Sequence, residues 1–586
     1  MEYTPSKYQK DIFDFVSRGS GNLVIEAAAG SGKTWTLCKC IGMLPEDARI
    51  LVAAFNADIV KELRTKLSDC TNTDISTIHS IGLKIISKHY GEEFELGIFE
   101  YKYLQYIKDN LFKLTDESNL PKSKVPKFIK NTLEFVNLGR LFLATSKFDM
   151  EQVMNRYGIE CFSNEMEAAL RVMEWGQDNL DQIDFTDMIW IPNVKYLSPR
   201  TKMYDYIFVD EAQDLSKAQR ELLLKFRKIN TRIIAAGCDE QTIYSFNGAD
   251  PESFNEFKSL PNTITLPLSI SYRCADRIVE FASSYGKIEK NENNIPGTIE
   301  HFSSLHNVDE GSMVICRNNA PLMYAYGRLM VDGKKCKFLG KNIEAELVSY
   351  IENNGNIRLN TSLLADGFFS RMYDYMFDVV YKIMHDFGVS KSDALSTSSV
   401  QHLYDVIQTL EVLSYGLSTT DELKERIIEV FSTSEEADDE STIRLSTIHK
   451  AKGLEANSVY IVCNSLMPSP YAKKAWEIKQ ERCLMYVAYT RAKNKLSFVD
   501  EYPFKDFVGG EPQIRLASIE TKINALYNRD RKFYVDEKNS KKVIDTARPI
   551  QESGRSITTS VTEILNKNKD DNGLSSFKNR RKHGKK

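Results

Sequence analysis

The chain has 586 residues, of which 42% are hydrophobic and 27% are charged, a composition typical of soluble globular proteins with about four domains. No apolar run reaches the ~18 residues of a membrane span, and the polar segment Met1–Lys10 lacks the apolar core of a signal peptide. The ten cysteines are scattered without a C-x-x-C pair, which favours free thiols in a reducing cytoplasm. The net charge of −4 neither supports nor excludes a nucleic-acid partner, because a binding channel needs positive potential only along its floor.

The first predicted strand, Asn22–Glu26, leads into a glycine-rich loop. Residues Ala27–Thr34 read AAAGSGKT, a phosphate-binding loop of the form A-x-x-x-x-G-K-T, with Ala at a first position where Gly is commoner. Gly30 and Gly32 carry no Cβ, so backbone N–H groups can close around phosphate oxygens, and the helix that follows adds its N-terminal dipole. The residues predicted to bind a nucleotide here are Ala27, Ala28, Ala29, Gly30, Ser31, Gly32, Lys33 and Thr34.

Two side chains of this loop carry its chemistry. Lys33 can supply a positive charge to the β- and γ-phosphates, and Thr34 can offer its hydroxyl to Mg²⁺. The alternative is a glycine-rich turn with a surface lysine. The order strand, loop and helix start favours the nucleotide site.

A second apolar run, Tyr206–Val209, ends in the acidic sequence Asp210–Asp214, which reads DEAQD. Asp210 can hold Mg²⁺, directly or through water, and Glu211 can orient or deprotonate an attacking water. The alternative is an acidic cap at the start of a helix. Because a phosphate loop and a strand ending in Asp-Glu are what metal-assisted hydrolysis requires, we predict a nucleoside triphosphate and Mg²⁺ as ligands, with Thr34 and Asp210 as the metal-binding pair.

The strand-like runs of the chain form two sets separated by helical segments. They are short and mostly apolar, as expected for parallel strands covered on both faces, and they predict an α/β fold with two parallel-sheet domains. The first set is Asn22–Glu26, Ile50–Ala54, Tyr206–Val209 and Arg232–Ala236, and the second is Ser312–Cys316, Ile443–Ser446, Val459–Val462 and Leu496–Val499. Helical patterning fills an insertion in each domain, with Tyr101–Leu114 and Glu165–Leu180 in the first and Phe368–Phe387, Val400–Leu417 and Thr420–Phe431 in the second.

Six motifs follow one another along the chain in an order that resembles the motif set of UvrD/Rep/PcrA-type helicases of superfamily 1. They are AAAGSGKT, VDEAQD at 209–214, QTIYSFNGAD at 241–250, SYR at 271–273, STIHKAKGLE at 446–455 and YVAYTRAK at 486–493. Weaker elements of the same set are Gln9, Phe55-Asn56, Thr77–Ser80 and Asp184–Asp187. The resemblance covers roughly residues 1–500, and an ordered series is far more specific than any single motif.

The resemblance implies two RecA-like P-loop domains, each interrupted by a mainly helical accessory insertion. The first core is then 1–85 with 181–265, its insertion 86–180, the second core 266–345 with 441–510, and its insertion 346–440, which is short for the family. Residues 511–586 form a C-terminal extension. We expect it to end in a disordered basic tail, Phe577–Lys586, that binds DNA or a replication or repair protein.

Further site residues follow from the resemblance. Arg273 and Arg491 match arginines that the second core directs at the γ-phosphate, where their charge would stabilise the transition state. Gln241 resembles the glutamine that links the γ-phosphate to core movement, and Glu455 resembles a contact to the ribose or the triphosphate. Gln9 would read the adenine edge. The predicted catalytic set is therefore Lys33, Asp210, Glu211, Gln241, Arg273 and Arg491.

Two positions depart from the family pattern. Relatives usually have Arg after Gly-Lys-Thr, stacked on the base opposite a tyrosine, whereas this chain has Trp35. Trp35 and Tyr272 could sandwich the base between two rings; the alternative is that Trp35 packs into the core. Asn247 stands where relatives often have Arg, so one charged contact near the site is missing.

The predicted DNA path combines charge with aromatic platforms that stack on bases, which gives no sequence specificity. The alternative for each aromatic residue is packing at the edge of a core. The predicted DNA-binding residues are Phe55, Asn56, Tyr244 and Phe246 on the path, His79 and His449 near the backbone, and Lys452 at a phosphate.

The motifs together predict an ATP-dependent DNA helicase that translocates on single-stranded DNA and unwinds duplex DNA, in the 3′→5′ direction by resemblance. One alternative is a translocase that displaces proteins from DNA with little unwinding, which the short second insertion favours. Another is a non-enzymatic, nucleotide-gated DNA clamp, and a weaker one is an RNA helicase. We expect single-stranded and duplex DNA as partners, no membrane, and a cytoplasmic location.

Overall fold

A computed structural model shows two compact units, the first formed by residues up to Phe302 with Ile448–Val499 and the second by Ser303–Thr447. The structure describes residues 4–500 except 55–56, 92–96, 116–124, 158–162, 200–202, 244–247, 251, 306–307, 340, 360–366, 388–389, 396, 437–438 and 471. None of the described helices is long and apolar enough to span a membrane. The five-segment division into cores and insertions stays a prediction.

The first unit is built on a six-stranded parallel sheet with the strand order β3-β2-β6-β7-β1-β8. This parallel sheet with its covering helices confirms the predicted α/β fold class. Its first elements are α1 (Lys7–Arg18), β1 (Asn22–Ala27), α2 (Lys33–Ile41), β2 (Ile50–Ala54), α3 (Ala57–Lys66), β3 (Thr73–Thr77) and α4 (Ile78–Tyr90).

A mainly helical insertion follows α4 and leads back to the sheet. It contains β4 (Gly97–Ile98), α5 (Lys102–Asp109), α6 (Leu111–Leu114), α7 (Val125–Leu141), α8 (Lys147–Tyr157), α9 (Ser163–Asp178), β5 (Gln182–Ile183) and α10 (Phe185–Val194). The sheet then resumes with β6 (Tyr204–Val209), α11 (Lys217–Leu224), β7 (Arg227–Gly237), α12 (Ser253–Lys258), β8 (Thr263–Leu268), α13 (Asp276–Ala282) and β9 (Thr298–Phe302).

Neighbouring residues of one strand enter two different hydrophobic clusters, one on each face of this sheet. Leu23 and Ile25 of β1 pack with Ile12 of α1 and Leu37 of α2, whereas Val24 packs in the cluster that includes α4, α10 and the insertion helices. Successive side chains of a strand point to opposite faces. Burial on both faces explains why β1 reads as a continuous apolar run.

A buried ionic cluster ties α5 and α7 of the insertion to the start of α10. Arg140 of α7 contacts Asp184 at 2.7 Å and Asp187 at 2.9 Å, and Lys102 of α5 contacts Asp187 at 2.9 Å. The hydroxyl of Tyr103 donates to the same Asp187 carboxylate. These opposite charges compensate one another away from water, which an isolated buried charge cannot do.

The second unit holds three parallel strands in the order β11-β12-β10, surrounded by helices. Its elements are β10 (Met313–Cys316), α14 (Asn319–Val331), β11 (Cys336–Phe338), α15 (Lys341–Glu352), α16 (Phe368–Phe387), α17 (Lys391–Leu395), α18 (Ser398–Leu413), α19 (Thr420–Glu436) and β12 (Ile443–Thr447). The remainder of the first unit comprises β13 (Ala456–Val462), α20 (Ala475–Tyr489) and β14 (Ala492–Val499), with the parallel order β13-β14-β9.

Candidate nucleotide-binding site

The phosphate-binding loop runs from the carboxyl end of β1 to the first turn of α2. Gly30 and Gly32 adopt positive φ angles of 68° and 78°, which residues with a Cβ rarely adopt. A Cβ on Gly30 would also lie 2.3 Å from the Cβ of Arg273, because the backbone N–H of Tyr272 donates to the carbonyl of Gly30 at 2.8 Å. The Ser-Tyr-Arg segment therefore packs directly on the loop.

Lys33 lies between the two acidic residues that follow β6. Its Nζ is 3.1 Å from Oδ1 of Asp210 and also contacts the Glu211 carboxylate. Burial alone would lower the pKa of Lys33, but Asp210 and Glu211 outweigh it and raise the pKa above its usual value. The loop lysine is thus fully charged and lies against the carboxylates predicted for catalysis.

The two predicted metal ligands are adjacent. The Thr34 hydroxyl donates to Oδ2 of Asp210 at 3.1 Å, so one hydroxyl and one carboxylate converge at the start of α2. Mg²⁺ is usually held by one or two such groups together with substrate phosphates and water. The buried Ser31 Oγ, also in the loop, has no hydrogen-bond partner among the described residues. A buried hydroxyl without a partner in this glycine-rich loop fits a phosphate ligand.

Glu211 is held in an uncommon backbone conformation at the end of β6. Its φ is 53°, in the left-handed region that costs a non-glycine residue energy and often occurs at functional sites. Burial would raise the pKa of Glu211, but the charges of Lys33 and Lys452 and hydrogen bonds from Lys33 and Gln213 hold it below its usual value. Glu211 is therefore a carboxylate at neutral pH.

Lys452 joins the acidic segment that follows β6 to the turn that follows β7. Lys452 donates from Nζ to Oδ2 of Asp214 at 2.5 Å and to the carbonyl of Gln241 at 2.7 Å. Its side chain is 10% exposed, so the ammonium is directed into the acidic cluster. Gln241 lies in a 3-10 turn, Asp239–Gln241, just after β7.

The two predicted γ-phosphate arginines have different surroundings. Nε of Arg273 contacts Glu455 at 2.6 Å, and Glu455 also pairs with Lys493 at 2.7 Å. Arg491 is 2% exposed and donates to the carbonyls of Val487 and Leu454 at 2.9 and 3.0 Å. Among the described residues it has no carboxylate partner. Burial, and then the nearby charge of Arg273, lower the pKa of Arg491 to about 9.

Two of the residues predicted around the base, Gln9 and Tyr272, lie close to Gly32 of the loop. Gln9 is fully buried, accepts from the backbone N–H of Ser6 at 2.9 Å and donates to the Thr36 hydroxyl at 3.2 Å. The Tyr272 hydroxyl lies 3.5 Å from the Gln9 carbonyl oxygen. Trp35 is partly buried against the cluster of α1 and α2, with its ring centroid 6.2 Å from that of Phe13.

The predicted DNA-binding residues are only partly described. Phe55, Asn56, Tyr244 and Phe246, and the departure at Asn247, lie outside the described residues, as does the basic tail. His79 is partly buried in the first turn of α4, and burial lowers its pKa. His449 lies three residues before Lys452 in the first unit.

Comparison with known proteins places these motifs in one family. Residues 9–262 match the model of the UvrD/REP helicase N-terminal domain, and residues 442–499 match that of the UvrD-like helicase C-terminal domain. Together the two matches span more than half of the chain. The chain belongs to the UvrD/Rep helicase family.

Relatives within this family carry helicase names. The chain is 24% identical to the ATP-dependent DNA helicase Rep of Buchnera aphidicola subsp. Acyrthosiphon pisum (strain APS), covering 82% of this chain and 92% of that protein. It is 24% identical to the F-box DNA helicase protein 1 of Schizosaccharomyces pombe (82% of this chain, 55% of that protein). It is 26% identical to the ATP-dependent DNA helicase PcrA of Leuconostoc citreum (48% and 39%).

Two residues in this UvrD/Rep-family site were missed by sequence reasoning. Gln213, inside the DEAQD motif, contacts Glu211, and Tyr486, inside the YVAYTRAK motif, contacts the backbone of Ala29 in the phosphate-binding loop. Both positions belong to motifs that were recognised, but the motif letters carry no information on which side chains meet.

Proposed function

We propose that this protein is an ATP-dependent DNA helicase that translocates 3′→5′ on single-stranded DNA and unwinds duplex DNA. The observation that carries the proposal is the convergence of Lys33, Thr34, Asp210 and Glu211 at the carboxyl ends of β1 and β6, in a chain of the UvrD/Rep family. We place the activity in the cytoplasm, where the described cysteines, all free, would stay reduced.

The phosphate-binding loop and its lysine hold the nucleotide. The loop N–H groups and Lys33 bind the phosphates, which requires Lys33 to leave the carboxylates that it contacts in this structure. Thr34 and Asp210 would hold Mg²⁺, which supplies charge neutralisation at the phosphates when bound. Trp35, Tyr272 and Gln9 bind the base, and Glu455 binds near the ribose.

The hydrolytic step is assigned to a base and two arginines. Glu211, a carboxylate at neutral pH, orients the attacking water and accepts its proton. Arg273 and Arg491 stabilise charge on the transferring phosphoryl group. Arg491 is suited to this role because its buried guanidinium has no carboxylate partner among the described residues, and a phosphate would compensate its charge.

DNA binding is assigned to Phe55, Asn56, Tyr244, Phe246, His79 and His449 through stacking and backbone contacts. Replication or repair proteins are further proposed partners, through the basic tail.

Strand displacement on tailed duplexes tests the proposal. A duplex with a 3′ single-stranded tail should be unwound in the presence of ATP and Mg²⁺, and a 5′-tailed duplex of the same sequence should not. The Glu211→Gln variant is the negative control. Removal of a DNA-bound streptavidin block without unwinding would favour the protein-displacing translocase, and a clamp would show neither activity.

A further inference from the structure

Both polar atoms of the Gln213 carboxamide make hydrogen bonds at the carboxyl end of the sheet, where Glu211 lies. Its Nε2 donates to Oε2 of Glu211 at 2.6 Å and lies 3.4 Å from Oδ2 of Asp214. Its Oε1 accepts from the backbone N–H of Cys238 at 3.0 Å. The side chain is 1% exposed. Gln213 therefore joins the Glu211 carboxylate to the backbone that follows β7.

The chemistry of these neighbours fixes the orientation of the amide. Only the –NH₂ group can face two carboxylates, and only the carbonyl oxygen can accept from an N–H. A reversed amide would place an oxygen against Glu211 and leave the N–H of Cys238 without a partner. The three contacts thus define one position for the Gln213 side chain and one direction for its donors.

The backbone beside Gln213 leaves room for this amide and little more. A Cβ on Gly237 would lie 2.6 Å from Oε1 of Gln213 and 2.8 Å from the ring of Phe254. Because β7 lies between β6 and β1 in the sheet, its carboxyl end lies between the Asp-Glu pair and the phosphate-binding loop. The Gln213 side chain reaches from the segment after β6 to the carboxyl end of β7.

Asp214, like Gln213, is linked to the turn that follows β7. Asp214, next to Gln213 in sequence, accepts from Lys452, and Lys452 donates in addition to the carbonyl of Gln241. Gln213 and Asp214 are thus anchored at Cys238 and Gln241, the two sides of one short turn after β7. That turn carries Gln241, which the family resemblance predicts to link the γ-phosphate to core movement.

Glu211 needs such a support because its other contact is temporary. Lys33 holds the carboxylate in this structure, but it must contact phosphates during hydrolysis. Once it leaves, the neutral Gln213 amide is the remaining hydrogen-bond donor to Glu211 among the described side chains. A neutral donor orients a carboxylate without the charge that would make it a weaker base.

We propose that Gln213 is the positioning residue that holds Glu211 in the orientation needed to accept a proton from the attacking water. The inference rests on the proposed function, in which Glu211 is the general base. Gln213 touches no reacting atom and acts only through Glu211.

The test is a double-mutant cycle between Gln213 and Glu211. Gln213→Glu keeps the size of the side chain and the acceptor for Cys238, but it replaces the donor with a charge that repels Glu211. Steady-state ATPase at saturating single-stranded DNA should show kcat lowered by about tenfold to a hundredfold, as for a misplaced catalytic group, while KM for ATP changes by less than about threefold. In a Glu211→Gln background the same substitution should change kcat by less than about twofold.

Gln219→Ala is the matched control. Gln219 is also buried and accepts from a backbone N–H, that of Ser216, at 2.8 Å, but it has no contact with Glu211 among the described hydrogen bonds. It should lower Tm without lowering kcat. If Gln213→Glu does not fold, Gln213→Asn, which keeps the amide but shortens its reach, is measured in the same cycle.

The outcomes separate the inference from the function on which it rests. Wild-type kcat in a folded Gln213 variant, or an equal further loss in the Glu211→Gln background, would overturn the positioning role. A Glu211→Gln variant that retains turnover would instead reject Glu211 as the base, whatever Gln213 does.

Discussion

The backbone N–H of Ala29 donates a hydrogen bond to the hydroxyl of Tyr486 at 3.1 Å. Tyr486 is fully buried near the end of α20, five residues before Arg491. The hydroxyl therefore connects the phosphate-binding loop with the helix that leads to the proposed γ-phosphate arginine, across 457 residues of sequence.

Tyr486→Phe should destabilise the protein. The buried N–H of Ala29 would lose its partner, which costs about 1–3 kcal/mol, so Tm should fall in a thermal unfolding experiment. Tyr489→Phe is the matched control, because its hydroxyl contacts the Asn464 side chain at 3.3 Å and not the loop. Equal stability of Tyr486→Phe and the wild type would show that the Ala29 contact contributes nothing.

Lys33→Ala should abolish ATP hydrolysis while the protein stays folded. The change removes the charge that binds the phosphates and leaves Asp210 and Glu211 without their shared partner. Circular dichroism should be unchanged. Steady-state ATPase above about a tenth of wild type would contradict the assigned role of the loop lysine.

Trp35→Ala should weaken ATP binding and also lower Tm. Loss of a base-stacking ring costs about 1–3 kcal/mol, which is roughly a five- to 150-fold loss of affinity. Loss of the packing against Phe13 affects the fold separately. Trp35→Phe keeps a ring for both contacts and serves as the control. Unchanged ATP affinity with a lower Tm would leave Trp35 as a packing residue alone.

Lys452→Met should lower ATPase turnover more than DNA affinity, because the ammonium contacts Asp214 and Gln241. Binding to single-stranded DNA across a salt series separates this expectation from the contact with a DNA phosphate predicted from sequence. A lost phosphate contact would reduce the salt slope by about 0.7 for a single strand. An unchanged slope with lower kcat supports the position at Asp214.

ATPase turnover should fall as the pH drops through about 6. Burial raises the pKa of Asp214, Lys452 and Lys33 oppose the shift, Glu211 adds to it, and the result is about 6. Above this pH Asp214 is ionised and pairs with Lys452, whereas below it the carboxylate is protonated and the pair is lost. A kcat profile with saturating ATP and DNA measures this limb. The side chain of Asp214→Asn cannot ionise. This variant should therefore have low turnover at every pH, and its kcat profile should lack the fall near pH 6.

The sequence predicted those helices and strands that have a clear signal within a short stretch of residues. The runs Asn22–Glu26 and Tyr206–Val209 fall within β1 and β6, and the helix Phe368–Phe387 is α16. Apolar runs of this kind report burial directly. In contrast, β3 (Thr73–Thr77) was missed because its residues are mostly polar, and β7 is longer than predicted because its first residues are exposed.

The contacts of the site could not be predicted from motifs. Lys452 and Asp214 are 238 residues apart, and Arg273 and Glu455 are 182 apart. Motif spacing gives the residue types that a reaction needs, but only the order of strands in the sheet determines which side chains meet. For this reason the motifs indicate neither the contact of Lys452 with Asp214 nor the contacts of Gln213 and Tyr486.

Stimulation of ATP hydrolysis by single-stranded DNA tests the proposed function most directly. ATPase is measured without nucleic acid, with single-stranded DNA and with RNA of the same sequence, for the wild type and Glu211→Gln. We predict strong stimulation by DNA, little by RNA, and turnover lowered at least about tenfold in Glu211→Gln. A rate that is the same with and without DNA, or the same in both proteins, would contradict a DNA-dependent helicase motor built on this site.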